Sequence, residues 1–317
     1  MLSFHPLPKE ALAGSAPRRI LPSPEQAIRI ADRYEVLGFL ESGGTADVHL
    51  ASDLVTGKRV ALKRLRGWAA ESSVARAHFL AGSRAAMRIE HPNIVRMLEV
   101  IELEEASPCA AMELLEGQSL SELVRRERAL PQALAVELVT QAARGLSAAH
   151  QVGVVHCDVK PENLFVSSDE AGSPRLKILD FDLASIDGLQ DPGEQKLLRG
   201  TPKYMAPEQI VGDPVDGRTD VYALGMVLFR LLTGQLPFDL PLGTTLLRHH
   251  LYSPVPPVSW LAENIDPKLE TLIARATRKH PQNRYPNMLY FCRELEAFEC
   301  GAALSTRPLV IAPDHYR

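Results

Sequence analysis

The chain has 317 residues, 45% of them hydrophobic, which suffices for one large or two medium domains around a sizeable core. Its net charge of -4, with both signs interspersed, supplies no polybasic face and so argues against nucleic-acid or acidic-membrane partners. No apolar run reaches the ~20 residues of a spanning helix, and the start "MLSFHPLPKEALAGSAPRR" lacks the uninterrupted apolar segment of a secretion signal. The four cysteines, Cys109, Cys157, Cys292 and Cys300, show no paired or zinc-ligand spacing, so free thiols in a cytoplasmic protein are expected.

In chain order, residues 1–32 are rich in Pro, Ala and Arg, and they read as a flexible extension. From Tyr34 the short apolar runs "YEVLGFL", "DVHLASD" and "RVALKRL", separated by Gly-rich or polar turns, predict an antiparallel sheet. "VARAHFLAGSRAAMRI" predicts a helix, and "HPNIVRMLEVIELEE" and "CAAMELLEG" supply two more strands and a chain crossing. Beyond Gly117, "SLSELVRRE", "PQALAVELVTQAARGLSAAHQ", "TDVYALGMVLFRLLTG" and "PKLETLIARAT" carry apolar residues at helical spacing. The expected class is α+β with two lobes: a small sheet lobe at about 33–112, a connection at 113–116, a helical lobe at 117–299 and a tail at 300–317.

"VHCDVKPENLFV" followed by "LKILDFDLA" puts Asp158, Lys160, Asn163 and Asp180 at the ends of short apolar strands, where polar side chains can converge on one cleft. Upstream lies Lys63 in "VALK"; downstream lie "GTPKYMAPEQ" and "DVYALG". In this combination and order, the motifs resemble those of eukaryotic-type Ser/Thr protein kinases, in particular the bacterial branch, from about Tyr34 to about Glu299.

That resemblance implies a bilobal fold and transfer of the γ-phosphate of ATP to Ser or Thr hydroxyls of proteins, with Mg²⁺ or Mn²⁺. It assigns Lys63 to the α- and β-phosphates, Asp180 and Asn163 to the metal, Asp158 to the substrate hydroxyl, Lys160 to the γ-phosphate and Thr201 to the Ser/Thr-specific pattern. It places Leu40, Glu41, Gly43, Gly44, Val48, Ala61, Met112, Glu113, Leu115 and Phe165 around the nucleotide, with Met112 as gatekeeper. His156, Phe181, Asp220 and a Glu208–Arg284 ion pair take scaffold roles. A regulatory partner and a cognate phosphatase are also implied.

Four positions depart from the family pattern. The phosphate-covering loop "ESGGTADV" keeps only the middle family glycine, Gly43, and carries Glu41. The helix Glu that pairs with the strand Lys falls on Gly82, which also lowers helix propensity by ~1 kcal/mol relative to Ala. The metal motif ends in Asp182 instead of Gly, so Asp182 or Glu41 becomes a candidate partner for Lys63. Cys157 stands where most members have the Arg that receives a loop phosphate; Ser185 is the loop's sole hydroxyl, so loop phosphorylation is not the expected switch. The competing reading is a weak or inactive kinase serving as a scaffold; a small-molecule phosphotransferase is disfavoured by "GTPKYMAPEQ" and "DVYALG".

Overall fold

The protein is described by a computed structural model over residues 28–102, 107–169, 171–186 and 200–301. Most of the expected extension and tail, and residues 187–199 of the loop after the metal motif, lie outside the described residues. Strands β1 (Arg29–Ile30), β2 (Tyr34–Ser42), β3 (Ala46–Asp53), β4 (Arg59–Leu65), β5 (Met97–Ile101) and β6 (Cys109–Glu113) form one antiparallel sheet in the order β1-β2-β3-β4-β6-β5. The sheet therefore begins before residue 33. Ile30 is buried with Tyr34, Val60, Leu62, Ile101 and Ala111, which corrects the extension boundary at residue 32.

Strand periodicity decides where Lys63 points. Val60 and Leu62 of β4 face that cluster, while the alternating residues Ala61, Lys63 and Leu65 belong to the opposite face. There Leu65 packs on Phe79 and Leu80 of α2 (Ser73–Met87), which follows the short helix α1 (Gly67–Ala70). The Ser72 side chain caps α2 by accepting from the Ala75 N–H. Gly82, two residues after Leu80, lies on the buried side of α2.

The second lobe opens with β7 (Gln118–Ser119) and α3 (Leu120–Glu127), where Ser119 and Glu122 form a reciprocal capping box. Helix α4 (Gln132–Gln151) follows, then β8 (Val154–Val155), the hairpin β9 (Leu164–Ser168) and β10 (Pro174–Ile178), and β11 (Ser185–Ile186), which pairs with β8. Helices α5 (Pro207–Val211), α6 (Gly217–Thr233), α7 (Thr244–Tyr252), α8 (Pro267–Ala276) and α9 (Met288–Gly301) complete the lobe. Helix α6 is buried nearly all round, from Thr219 to Phe229 and again from Leu231 to Thr233. Helices α4, α8 and α9 pack against it.

A buried ion pair ties α5 to this helix. Arg284 donates to both Glu208 oxygens at 2.6 and 2.7 Å, and its remaining donors reach the carbonyls of Arg218, Arg278 and Lys279. Thr219 Oγ1 of α6 donates to the same Glu208 carboxylate at 2.9 Å. With the Arg284 side chain wholly inaccessible, removing one partner strands a charge without water. Glu208→Gln or Arg284→Met should therefore each destabilise the fold by about 3–5 kcal/mol in denaturant titrations. A loss below 1 kcal/mol in both would show that this pair is not the brace described.

Candidate active site

Asp220 near the start of α6 organises the segment that carries the candidate catalytic groups. It is fully buried, and its two oxygens accept the backbone N–H groups of His156 and Cys157, each at 2.9 Å, while His150 Nε2 lies 2.7 Å from one of them. Burial opposes the charge, but these hydrogen bonds outweigh it and hold Asp220 below the usual carboxylate range. The backbone turns sharply there. Cys157 has φ 65°, in the left-handed region, and its carbonyl accepts from Gln209 Nε2 at 2.8 Å. The role of Gln209, at the end of "GTPKYMAPEQ", is not legible in the sequence, because a bond to a main-chain carbonyl leaves no signal in residue spacing.

His156 joins two strands of the cleft floor. Its Nδ1 accepts from the Asp158 N–H at 3.2 Å, its Nε2 lies 2.9 Å from the Leu179 carbonyl, and its ring sits 4.7 Å from that of Phe181. Asp158, Lys160 and Thr201 then close a triangle. Thr201 Oγ1 donates to Asp158 Oδ1 at 2.7 Å, and the Lys160 ammonium donates to Asp158 Oδ2 at 2.6 Å and to Thr201 Oγ1 at 2.9 Å. Asn163, at the end of the turn Pro161–Asn163, donates to the Asp158 carbonyl at 2.9 Å, leaving its side-chain oxygen as an acceptor.

Across the cleft, Lys63 reaches down from β4. Its ammonium donates to Asp180 Oδ1 and to Asp182 Oδ2, both at 2.7 Å, with its side chain 13% exposed. Burial alone would weaken the Lys63 proton's hold, but the two carboxylates reverse the sign and raise its pKa. The carboxylates diverge: burial pushes both up, but Lys63 draws Asp180 below its ordinary range, while burial and the neighbouring Asp180 leave Asp182 above it. Of the two candidate partners for Lys63, Asp182 makes the contact, and no hydrogen bond joins Glu41 to Lys63 among the described residues. Glu41 stands over the cleft mouth, raised by burial and by the charges of Glu122 and Asp180, with Lys63 pulling the other way.

Gly82 explains how Asp182 gets there. A Cβ at residue 82 would lie 2.2 Å from the Phe181 carbonyl oxygen and 2.9 Å from Asp182 Cα, distances that only a missing side chain permits. What reads in sequence as a weak point of α2 is the surface against which the metal motif packs.

The remaining expected residues frame a slot between the lobes. Gly43 and Gly44 lie between β2 and β3, where the Gly43 N–H donates to the Ala46 carbonyl at 2.8 Å. Val48 pairs with Lys63 and Ala61 with Met112 in the sheet; Leu40, Val48, Met112, Leu115 and Phe165 are half-buried and Ala61 buried. The Phe165 ring abuts Gly117, where φ is 152° and a Cβ would meet the Val166 carbonyl at 2.1 Å. The Glu113 side chain turns away, accepting from the Arg96 N–H and from the Lys177 ammonium at 2.7 Å each, so only its backbone is offered to the slot.

Comparison with known proteins agrees with this geometry. The family model described as protein kinase domain matches residues 34–292. The serine/threonine-protein kinase pkn3 of Myxococcus xanthus is 36% identical over 276 residues, 85% of this chain and 50% of that protein. The serine/threonine-protein kinase PknB of Mycobacterium leprae is 36% identical over 262 residues, 81% of this chain and 41% of that protein. The chain thus spans half the length of these curated relatives or less. The crystal structure of the Mycobacterium tuberculosis PknI kinase domain superposes with a TM-score of 0.68 at 26% identity, covering 86% of this chain and 98% of that one. A two-lobed fold, a lysine and two aspartates facing each other across its cleft, and a family match over most of the chain lead to one statement: the chain belongs to the protein kinase domain family.

Proposed function

We propose that the chain transfers the γ-phosphate of ATP to Ser or Thr hydroxyls of proteins in a Mg²⁺-dependent reaction. The observation that carries this reading is the Asp158–Lys160–Thr201 triangle facing a lysine bonded to Asp180. Phosphoryl transfer asks the protein chiefly for positioning and for positive charge. Asp158 Oδ1 now accepts from Thr201; an incoming substrate hydroxyl shares or takes that acceptor, which orients it and receives its proton. Lys160 then lies one hydrogen bond from the acceptor site and offers charge to the γ-phosphate.

The residues fit the implied metal. Asp180 and Asn163 offer hard oxygens, and since the Asn163 nitrogen is spent on the Asp158 carbonyl, its oxygen would be left to hold a cation together with Asp180. When bound, Mg²⁺ or Mn²⁺ neutralises phosphate charge. A protein substrate, a regulatory partner and an opposing phosphatase belong to the same proposal. So does control without loop phosphorylation: no cation stands at residue 157, and Ser185 is tied into the β11–β8 pairing. A second reading, a nucleotide-binding scaffold with little transfer, is favoured by Glu41, whose carboxylate adds negative charge at the cleft mouth.

Phosphate incorporation into a generic protein substrate with MgATP decides between them. Asp158→Asn and Lys63→Ala should each lower incorporation by about a hundredfold or more, whereas Ser185→Ala should change it by less than about threefold. Nucleotide binding without incorporation by the unaltered protein favours the scaffold; incorporation that persists undiminished in both variants rules out this active site.

The exchange at residues 82 and 182 gives a sharper outcome. Asp182→Gly should cost about tenfold in kcat/KM by leaving Lys63 a single partner, and Gly82→Glu should cost more because its side chain meets backbone at 181. Gly at 182 frees that backbone to withdraw and a Glu at 82 can then reach Lys63, so the double variant should recover most of the loss. A double variant no better than the worse single one would refute the exchange.

A further inference from the structure

Helices α3 and α6 end against one another, and a cavity of about 340 Å³ lies where they meet. Gly234, which ends α6 with φ 71°, brings the two chains together: a Cβ there would lie 2.4 Å from the Arg128 carbonyl. Leu130 N–H donates to the Leu231 carbonyl at 2.7 Å, and this fixes the approach. Three arginines, Arg125, Arg128 and Arg230, are among the residues that line the cavity, together with Ser121 and Thr233.

Cations near two helix C-termini have an ordinary explanation, since the macrodipoles there are negative. It does not cover these arginines fully. The Arg230 Nε is shut off from solvent and has no hydrogen-bond partner, which leaves one buried donor unmet. Among the described residues no carboxylate pairs with Arg125, Arg128 or Arg230, whereas Arg126, the other arginine of α3, pairs with Glu127, and Arg218, at the far end of α6, pairs with Asp216. Three unpaired guanidinium groups around a cavity of this size make a receptor for an anion of carboxylate or phosphate shape.

The surroundings say whose anion it is. Ser121, on the cavity wall, donates to Glu162 at 2.9 Å, and Glu162 immediately precedes Asn163 in the turn after Lys160. On the other side burial raises the Tyr204 hydroxyl's pKa, with the charge of Arg230 opposing that rise and the charge of Glu162 adding to it, and Tyr204 lies three residues beyond Thr201, whose hydroxyl bonds Asp158. The cavity is therefore joined through Ser121 to the turn that carries Glu162 and Asn163. We infer that it selects the protein substrate by receiving an acidic or phosphorylated side chain of the same peptide, a few residues from the Ser or Thr that is modified. This rests on the kinase reading above and adds a substrate class to it: Ser/Thr sites in acidic or already phosphorylated sequence.

The test compares peptides that carry one acceptor Ser and differ only in flanking residues: all Gln, Glu-substituted, phosphoserine-substituted and Arg-substituted. The unaltered protein should use the Glu and phosphoserine peptides with KM about tenfold lower than the Gln peptide, with the change in KM and not kcat. The phosphoserine arm should exceed the Glu arm if a phosphate fills the cavity, and equal it if a carboxylate suffices. Arg230→Glu should abolish the preference and turn it toward the Arg peptide. Arg125→Glu, at an exposed position that leaves the fold intact, should reduce it in the same direction. Direct binding of the labelled phosphoserine peptide, read by anisotropy with inorganic phosphate as competitor, reports on the cavity even if no peptide is phosphorylated. Failure of transfer with binding still lost in Arg230→Glu would sink the kinase reading and keep the site. Equal KM values across the peptides, or binding unchanged in both arginine variants, would overturn the site; binding of inorganic phosphate alone, with no peptide preference, would overturn its role in substrate choice.

Discussion

One ammonium shared by two carboxylates holds this cleft together. Lys63 hangs from the sheet lobe, Asp180 and Asp182 stand on the floor, and the 2.7 Å bonds between them are a direct polar link across the cleft, beside that of Lys177 to Glu113. In the family pattern the second partner of that lysine comes from a helix, so the helix must be docked before the lysine is in place. Here the partner comes from the metal motif itself, and α2 contributes a bare glycine against which that motif rests. The lysine's position then depends on one segment instead of two. Docking of α2 still matters, but as a steric wall, not as a source of charge.

The floor is rigid for a different reason. Asp220 is a buried carboxylate whose lone pairs are spent on two main-chain N–H groups and on His150, so the turn at His156 and Cys157 cannot relax without stranding a charge. The same turn is gripped from the other side by Gln209, and α5, which carries Gln209, is itself fastened by Glu208 to Arg284. The left-handed conformation at Cys157 is thus over-determined by its neighbours. A cysteine there brings no long cation toward the loop that follows, and position is supplied by the scaffold instead.

Much of this was legible in the sequence because the chemistry needs particular residue types at fixed separations. Asp158, Lys160 and Asn163 lie within one turn of chain, so their convergence follows from local geometry. Strand alternation likewise places Lys63 opposite Val60 and Leu62. The meaning of Gly82 was hidden, because a close approach between residues a hundred positions apart has no local signature. Strand β1 was missed since two residues cannot show a period, and helices α7 and α9 were passed over. Arg125, Arg128 and Arg230 drew no notice for the same reason as Gly82: they are scattered charges until two helix ends bring them together.

The balance of charge along the cleft gives the metal more to do than in a site with a neutral mouth. Asp180 is held ionised and Glu41 stands nearby, with Lys63 the cation between them; the upward displacement of Asp182 trims the negative charge without reversing it. On the kinase reading proposed above, such a mouth would oppose a bare triphosphate, and a divalent cation bound with it would offset that repulsion. If both proposals hold, the acidic nucleotide side and the basic cavity beyond the catalytic turn would sort their ligands by opposite rules, one admitting phosphate only with its metal, the other admitting an anion without one.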